Sequence, residues 1–241
     1  MEYPKLLDAQ VANMPLQAIT EILGTDGLIQ RFVIEVGKLA TASAQEEVNQ
    51  AFLVASHLHS GDKRVREPYL SHPLRVAIRM MIYYGVTDAD VLSAALMHDC
   101  VEDHSDMLTR GDDEAGKPEA LLTLEEWFNL RVSRLVGGVT NPDFDPALDK
   151  NVQYLEHLSH IVEADDPWFS VIKLSDFTDN ATGLIYTTGP KVQRSAIKYL
   201  PAVPILRSAL DRPNFPLSRS VITHIHQQLD LTIARLTPLA S

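Results

Sequence analysis

Residues 94–107, AALMHDCVEDHSDM, join an apolar run to a dense group of histidine and acidic side chains. In a helix, residues three and four positions apart share a face, which brings together the side chains of His98, Asp99, Glu102 and Asp103. Carboxylates that lie this close raise each other's pKa unless a cation sits among them. The stretch therefore indicates a divalent metal site at a helix end, and the alternative interpretation is an acidic, solvated helix end.

The apolar pattern around this stretch predicts helices along almost the whole chain. Apolar residues recur at three- and four-residue spacing, and β-branched alternation is scarce. The predicted helices cover residues 27–42, 44–59, 73–84, 88–102, 121–136, 149–163, 168–186, 191–210 and 217–236. Residues 110–120 and 137–149 are rich in glycine, proline and aspartate and predict loops. The sequence therefore predicts an all-α fold.

The overall composition argues against several classes of partner. With 45% hydrophobic and 22% charged residues, the chain has the balance of a soluble globular protein. Its 21 Lys and Arg against 32 Asp and Glu leave a formal charge of -11, which repels nucleic acid and anionic membranes. The opening MEYPKLLDAQ lacks the features of a signal peptide, and the lone Cys100 agrees with a reducing compartment. We therefore expect a cytoplasmic protein that binds neither nucleic acid nor membranes.

Two further stretches repeat the combination of apolar residues and metal-binding side chains. In REPYLSHP, residues 66–73, His72 directly precedes a proline that can start a helix. In VIKLSDFTDNATGL, residues 171–184, an apolar lead-in is followed by Asp176, with Asn180 four residues later. Taken singly, His72 and Asp176 are ordinary helix residues, but their occurrence beside residues 94–107 strengthens the metal-site interpretation.

The order of three blocks resembles a known family: HSGDKRVREPYLSHP at 59–73, ALMHDCVED at 95–103 and VIKLSDFTDNA at 171–181. It is similar to the hydrolase domain of the RelA/SpoT homologues and to the small alarmone hydrolases, a branch of the HD metal-dependent phosphohydrolases. The resemblance implies an all-α fold, one bound Mn2+ ion and removal of the 3′-pyrophosphate from a guanosine or adenosine alarmone such as ppGpp. The implied partner is thus a small-molecule nucleotide.

The resemblance also implies roles for individual residues. The implied metal ligands are His72, His98, Asp99 and Asp176. Two imidazoles and two carboxylates suit manganese, although iron, cobalt or zinc also accept such donors. Glu102 corresponds to the general base and Asp103 to its acidic partner, which orients the water or shuttles the proton. The implied substrate-binding residues are Lys63, Arg64 and Asn180.

With the resemblance, the predicted organisation is a single HD-domain helical bundle with extra C-terminal helices. Residues 1–26 form an N-terminal extension, and residues 27–210 form the HD metal-dependent phosphohydrolase domain. The helix at 211–241 either closes the bundle or mediates self-association into a homo-oligomer.

Departures from the family pattern leave other functions open. The chain reads KRVR before EPY, where the family has Arg-Lys-Ser-Gly, and Phe177 stands where the family has an arginine. One alternative is an HD-class phosphatase that acts on another nucleotide such as NADPH. The other is a catalytically silent, metal-stabilised regulator that binds nucleotides.

Overall fold

The computed structural model describes residues 7–109, 116–182 and 190–240. Within these ranges the regular structure is helical, and the β-pairing consists of one isolated antiparallel bridge between Lys63 and Pro68. The predicted all-α fold is confirmed. In the same ranges, no helix combines the length and the apolar content that crossing a membrane requires.

The chain forms two compact units, Met1–Gly137 and Gly138–Ser241. The helices of the first unit are α1 (Asp8–Ala12), α2 (Leu16–Val36), α3 (Ala42–Leu58), α4 (Ser71–Ile82), α5 (Ala89–Met97), α6 (Cys100–Asp103), α7 (Ser105–Leu108) and α8 (Gly116–Trp127). Helix α9 (Leu130–Val139) runs across the boundary. The helices of the second unit are α10 (Lys150–Glu163), α11 (Pro167–Thr182), α12 (Pro190–Tyr199), α13 (Ala202–Leu210) and α14 (Arg219–Ala240).

Helix α5 lies at the centre of the first unit and carries the opening stretch of the sequence. It starts where the Asp88 side chain accepts a hydrogen bond from the Val91 amide, which caps the helix. Residues 91–97 are all buried, and α5 packs against α3 and α4. Because residues 91–97 are buried, the residues that follow Met97 begin inside the protein.

The helix predicted at 88–102 divides at the candidate site. Helix α5 ends at Met97 and α6 begins at Cys100, so His98 and Asp99 form the turn between them. Both keep right-handed backbone angles, and the Asp103 amide donates to the Asp99 carbonyl over 2.9 Å. The prediction of one continuous helix is wrong, but the helical spacing on which the site argument depends is retained.

Other differences from the predicted helices have local causes. Helix α2 starts at Leu16, well before residue 27, and bends at Gly24, whose φ of 62° suits a residue without a side chain. The helix predicted at 121–136 is two helices, and the Asn129 side chain caps the second by accepting from the Val132 amide over 2.9 Å. The helix predicted at 191–210 also divides, next to Pro201, which has no amide hydrogen to continue it.

The loop predictions are partly confirmed. Of the loop predicted at 137–149, residues 140–149 form irregular backbone between α9 and α10, whereas residues 137–139 belong to α9. Helix α8 begins at Gly116, inside the segment that was expected to be a loop, and residues 110–115 lie outside the described residues. The C-terminal part of the helix predicted at 168–186 also lies outside them, beyond Thr182.

Helix α11 is the buried helix of the second unit and carries Asp176. Residues 171–179 are all buried, and α11 contacts α10, α12, α13 and α14. Arg212 stabilises the end of α10, because its guanidinium donates to the carbonyl oxygens of Val162 and Ala164 over 2.7 and 2.6 Å.

Candidate metal centre

The first unit brings together His72, His98 and Asp99, which we call the inner cluster. The Nε2 atoms of His72 and His98 lie 3.2 Å apart. Asp99 Oδ2 lies 3.2 Å from His98 Nε2 and 3.6 Å from His72 Nε2. Both imidazoles are buried, whereas the Asp99 side chain is 20% exposed. Two ring nitrogens and one carboxylate oxygen therefore converge on one point inside the protein.

The hydrogen bond of His98 decides which of its ring nitrogens can bind a metal. His98 Nδ1 lies 2.8 Å from the carbonyl oxygen of Ala95. A carbonyl oxygen only accepts, so Nδ1 carries the hydrogen and Nε2 keeps its lone pair when the ring is neutral. Nε2 is the atom that lies beside His72 Nε2 and Asp99 Oδ2. Metal bonds of about 2.1 Å at near-right angles separate neighbouring ligand atoms by roughly 3 Å, so the inner cluster fits the ligands of a divalent transition ion.

Tyr69 orients the carboxylate of the inner cluster, a contact that the sequence argument missed. Its hydroxyl donates to Asp99 Oδ2 over 2.6 Å. Burial and the negative charge of Asp99 raise the pKa of Tyr69, which keeps the hydroxyl protonated and able to donate. In the sequence, the feature that could have pointed to this contact is the position of Tyr69. It lies three residues before His72 and directly after the EP dipeptide of the first family block.

The loop between α3 and α4 carries the two predicted basic residues. The Arg64 guanidinium lies 5.0 Å from the centre of the Tyr69 ring, a cation–π geometry, and Lys63 is exposed. Glu67 fixes this loop by pairing with both terminal nitrogens of Arg75 on α4, at 2.6 and 2.7 Å. The structure thus places Arg64 one aromatic ring away from Asp99.

The acidic residues Glu102 and Asp103 lie on α6, directly after the inner cluster. Glu102 is half-buried, and Asp103 keeps an exposed side. Loss of water around its carboxyl group, together with the charges of Asp99 and Glu102, raises the pKa of Asp103 to about 6. The repulsion expected from the sequence is therefore present, and a cation beside Asp99 would relieve it.

The second unit holds Asp176 and Asn180 on α11. Asp176 Oδ1 accepts a hydrogen bond from the Asn180 amide over 2.6 Å. Its other oxygen, Oδ2, lies 2.9 Å from the ammonium group of Lys173, and both side chains are buried. The sequence argument did not single out Lys173, although it lies one helical turn before Asp176. Asp176 is thus held in a fixed orientation by a charge on one oxygen and an amide on the other.

Phe177, for which the resemblance implies an arginine in the family, lies in the core of the second unit. Its side chain is 1% exposed, and its ring meets that of Tyr199 edge-on with centroids 5.7 Å apart. This position therefore contributes to packing.

A family model described as the HD domain matches residues 51–197, more than half of the chain. The chain belongs to the HD domain family, which confirms the resemblance drawn from the three sequence blocks.

Among individual relatives, the guanosine-3′,5′-bis(diphosphate) 3′-pyrophosphohydrolase MESH1 of Mus musculus is 34% identical over 125 residues, 51% of this chain and 60% of the relative. The bifunctional (p)ppGpp synthase/hydrolase SpoT of Escherichia coli (strain K12) is 32% identical over 138 residues, 56% of this chain and 18% of the relative. The chain therefore spans less than two thirds of the length of either protein.

A solved structure shows the same fold. It comes from work on a metazoan orthologue of SpoT that hydrolyzes ppGpp and plays a role in starvation responses. The comparison gives a TM-score of 0.57 at 22% identity and covers 78% of this chain and 94% of the other.

Proposed function

We propose that the protein is a metal-dependent pyrophosphohydrolase that removes the 3′-pyrophosphate from a nucleotide alarmone of the ppGpp or ppApp type. The observation that carries this proposal is the convergence of His72, His98 and Asp99 in a chain of the HD domain family. The substrate class is supported by the relatives, because both MESH1 and SpoT are named for hydrolysis of this class of nucleotide.

The proposed metal ligands are the inner cluster together with Asp176 of the second unit. The ion is Mn2+ in this proposal. Another divalent transition ion is the alternative, since imidazole and carboxylate ligands bind several such ions. When bound, the ion would lower the pKa of a water ligand and offset phosphate charge. The side chains around the ligands hold them in place: Tyr69 donates to Asp99, and Lys173 and Asn180 contact Asp176.

The acidic pair on α6 would handle the proton of the attacking water. Glu102 acts as the general base, and Asp103 orients the water or passes the proton on. Their position supports these roles, because α6 begins one residue after Asp99.

Lys63, Arg64 and Asn180 are the proposed substrate contacts. A guanidinium group stacks on a flat base and forks onto phosphate, and Arg64 already lies against the aromatic ring of Tyr69. This local positive charge would offset the formal charge of -11, which otherwise repels an anionic nucleotide. The Asn180 amide, which donates to Asp176, would also contact the sugar of the nucleotide.

The organisation and location of the protein are part of the same proposal. The catalytic domain is residues 27–210, which contains the matched range 51–197, and residues 1–26 are an extension. The helix at 211–241 closes the bundle or mediates self-association. The net charge and the lone, buried Cys100 support a cytoplasmic protein that does not bind nucleic acid.

A phosphatase acting on another nucleotide such as NADPH is the second candidate function. The observation that favours it is the burial of Phe177, because a core phenylalanine cannot make the contacts of the family's arginine.

One incubation series tests these functions. The full chain with Mn2+ is incubated with ppGpp, ppApp and NADPH, and the products are separated by chromatography. We expect pyrophosphate from an alarmone, and the His98→Ala variant should release none. Orthophosphate from NADPH without pyrophosphate from either alarmone would select the phosphatase. Nucleotide binding without any turnover would select the silent regulator.

A further inference from the structure

A second group of metal-binding side chains lies in the first unit and consists of His59, Asp62 and His104, which we call the outer cluster. His59 follows the last residue of α3, and Asp62 lies in the next turn, where its amide donates to the His59 carbonyl over 3.1 Å. His104 lies between α6 and α7. The sequence argument gave His104 no role and did not connect these residues, because His59 and His104 are 45 positions apart.

Three potential ligand atoms of the outer cluster face one another. Asp62 Oδ2 lies 2.8 Å from His59 Nδ1 and 2.7 Å from His104 Nε2. The two ring nitrogens are 3.1 Å apart. The three separations are close to the roughly 3 Å expected between neighbouring ligands of an ion with bonds of about 2.1 Å.

Hydrogen bonds to Asp62 account for two of these three contacts but leave the short distance between the two ring nitrogens unexplained. If both rings donated to Asp62, their N–H groups would lie side by side, with two positive hydrogens near each other and 3.1 Å between the nitrogens. A cation at the centre would instead satisfy two ring lone pairs and one carboxylate oxygen together. This donor set of two histidines and one carboxylate binds transition ions and leaves positions open for water.

The charge and exposure of the three residues also suit a cation. Burial lowers the pKa of His59, which favours the neutral ring, and the contact with His59 lowers the pKa of Asp62, which favours the carboxylate. The Asp62 side chain is 36% exposed, so the outer cluster opens to water. His59 Nε2 lies 3.8 Å from the buried Cys100 sulfur, a weak acceptor that can hold the ring while Nδ1 faces the ion.

We propose that the outer cluster is a second divalent-metal site, which takes an ion of the zinc, cobalt and iron(II) class through His59 Nδ1, Asp62 Oδ2 and His104 Nε2. The site joins the end of α3 to the connection between α6 and α7. An ion bound there would stabilise the folded chain, because the unfolded chain does not hold the three ligands together. The proposal does not depend on the catalytic function.

Zinc binding by the full chain tests the outer cluster. The protein is stripped with a chelator, titrated with Zn2+ alone, desalted and analysed for metal content. Asp62→Asn and His104→Asn should each hold one equivalent less than the unmodified chain. Asp106→Asn, an exposed aspartate on α7, is the matched control and should lose none. Circular dichroism shows whether each variant is folded. If His104→Asn does not fold, the comparison uses Asp62→Asn, whose side chain is of nearly the same size and is 36% exposed in the unmodified chain.

The His98→Asn variant separates the outer cluster from the inner one. Zn2+ should still raise its melting temperature, and adding Asp62→Asn should remove that rise. Equal zinc content in the unmodified chain and in a folded Asp62→Asn variant would overturn the proposal. If the proposed catalytic function is wrong, the unmodified chain should still bind one equivalent of zinc more than the Asp62→Asn variant.

Discussion

The inner and outer clusters each combine two histidines with one aspartate, but they differ in burial. The inner imidazoles are at most 1% exposed and Asp99 is 20% exposed. In the outer cluster His59 is also buried, at 1%, but Asp62 is 36% exposed and His104 is 15% exposed. Because a buried carboxylate loses more hydration, it gains more from a cation and binds it more firmly. In the two proposals, similar donors would therefore hold an ion more firmly in the inner cluster than in the outer one.

The surroundings of the clusters differ in a second way. The inner cluster is followed at once by Glu102 and Asp103, two carboxylates able to take a proton from water. The outer cluster lies beneath Tyr69, whose ring stacks on His59 with centroids 4.5 Å apart. Since the hydroxyl of Tyr69 also donates to Asp99, this one residue contacts both clusters. These surroundings agree with the two proposals, in which the inner cluster serves catalysis and the outer one stabilises the fold.

The largest effect is expected from Asp99→Ala. Loss of this ligand should abolish pyrophosphate release and strongly lower the metal content of the inner cluster, because only two of its three donors would remain. Metal analysis and product chromatography on the same sample measure both effects. Asp106→Ala is the control and should retain activity. Turnover by an Asp99→Ala protein without inner-site metal would contradict the division of roles.

Glu102→Gln should keep the metal and lose the rate. The amide cannot accept the proton of the attacking water, and general-base catalysis contributes roughly 10²- to 10⁴-fold. We expect kcat to fall within that range while the metal content stays at the unmodified level. An unchanged kcat would show that the base is another residue.

Tyr69→Phe tests the link between the clusters. The substitution removes the hydrogen bond to Asp99 but keeps a ring that can stack on His59. Loss of a residue that orients a metal ligand costs about 10- to 100-fold in metal affinity or activity. Manganese titration of activity should therefore show a higher half-saturating concentration, and zinc content at the outer cluster should not change. A loss of both ions would mean that the clusters are not independent.

Arg64→Lys should produce the smallest change. A lysine keeps the charge but loses the planar fork and much of the stacking on Tyr69, so KM should rise while kcat changes little. A lost charged hydrogen bond of about 1.5 kcal/mol corresponds to roughly a tenfold rise in KM. Steady-state kinetics on the alarmone measure it, with Arg66→Lys as the control on the same loop. An unchanged KM would show that Arg64 does not contact the base or the phosphates of the substrate.

The sequence could predict the parts of the site that depend on local spacing. His98, Asp99, Glu102 and Asp103 lie within six consecutive residues, so a helical turn brings them together whatever the rest of the fold does. The division between α5 and α6 was not predictable from the same spacing, because a turn with right-handed backbone angles leaves the apolar pattern unchanged.

Contacts between distant segments could not be predicted without the fold. Tyr69 and Asp99 are 30 positions apart, and the outer cluster joins two residues that follow α3 to one between α6 and α7, which share no pattern in the sequence. The early start of α2 was hidden by Gly24, which interrupts the apolar periodicity at the point where the helix bends. The burial of Phe177 depends on packing against α12, where Tyr199 lies.

Removal and return of the metal tests the central claim most directly. The full chain is stripped with a chelator, and pyrophosphate release from ppGpp and ppApp is followed as Mn2+ is added back. The proposed mechanism predicts no release from the stripped protein, recovery as the inner site fills, and no recovery in the His98→Ala variant at any Mn2+ concentration. Release of pyrophosphate by the stripped protein, or full recovery in His98→Ala, would contradict it.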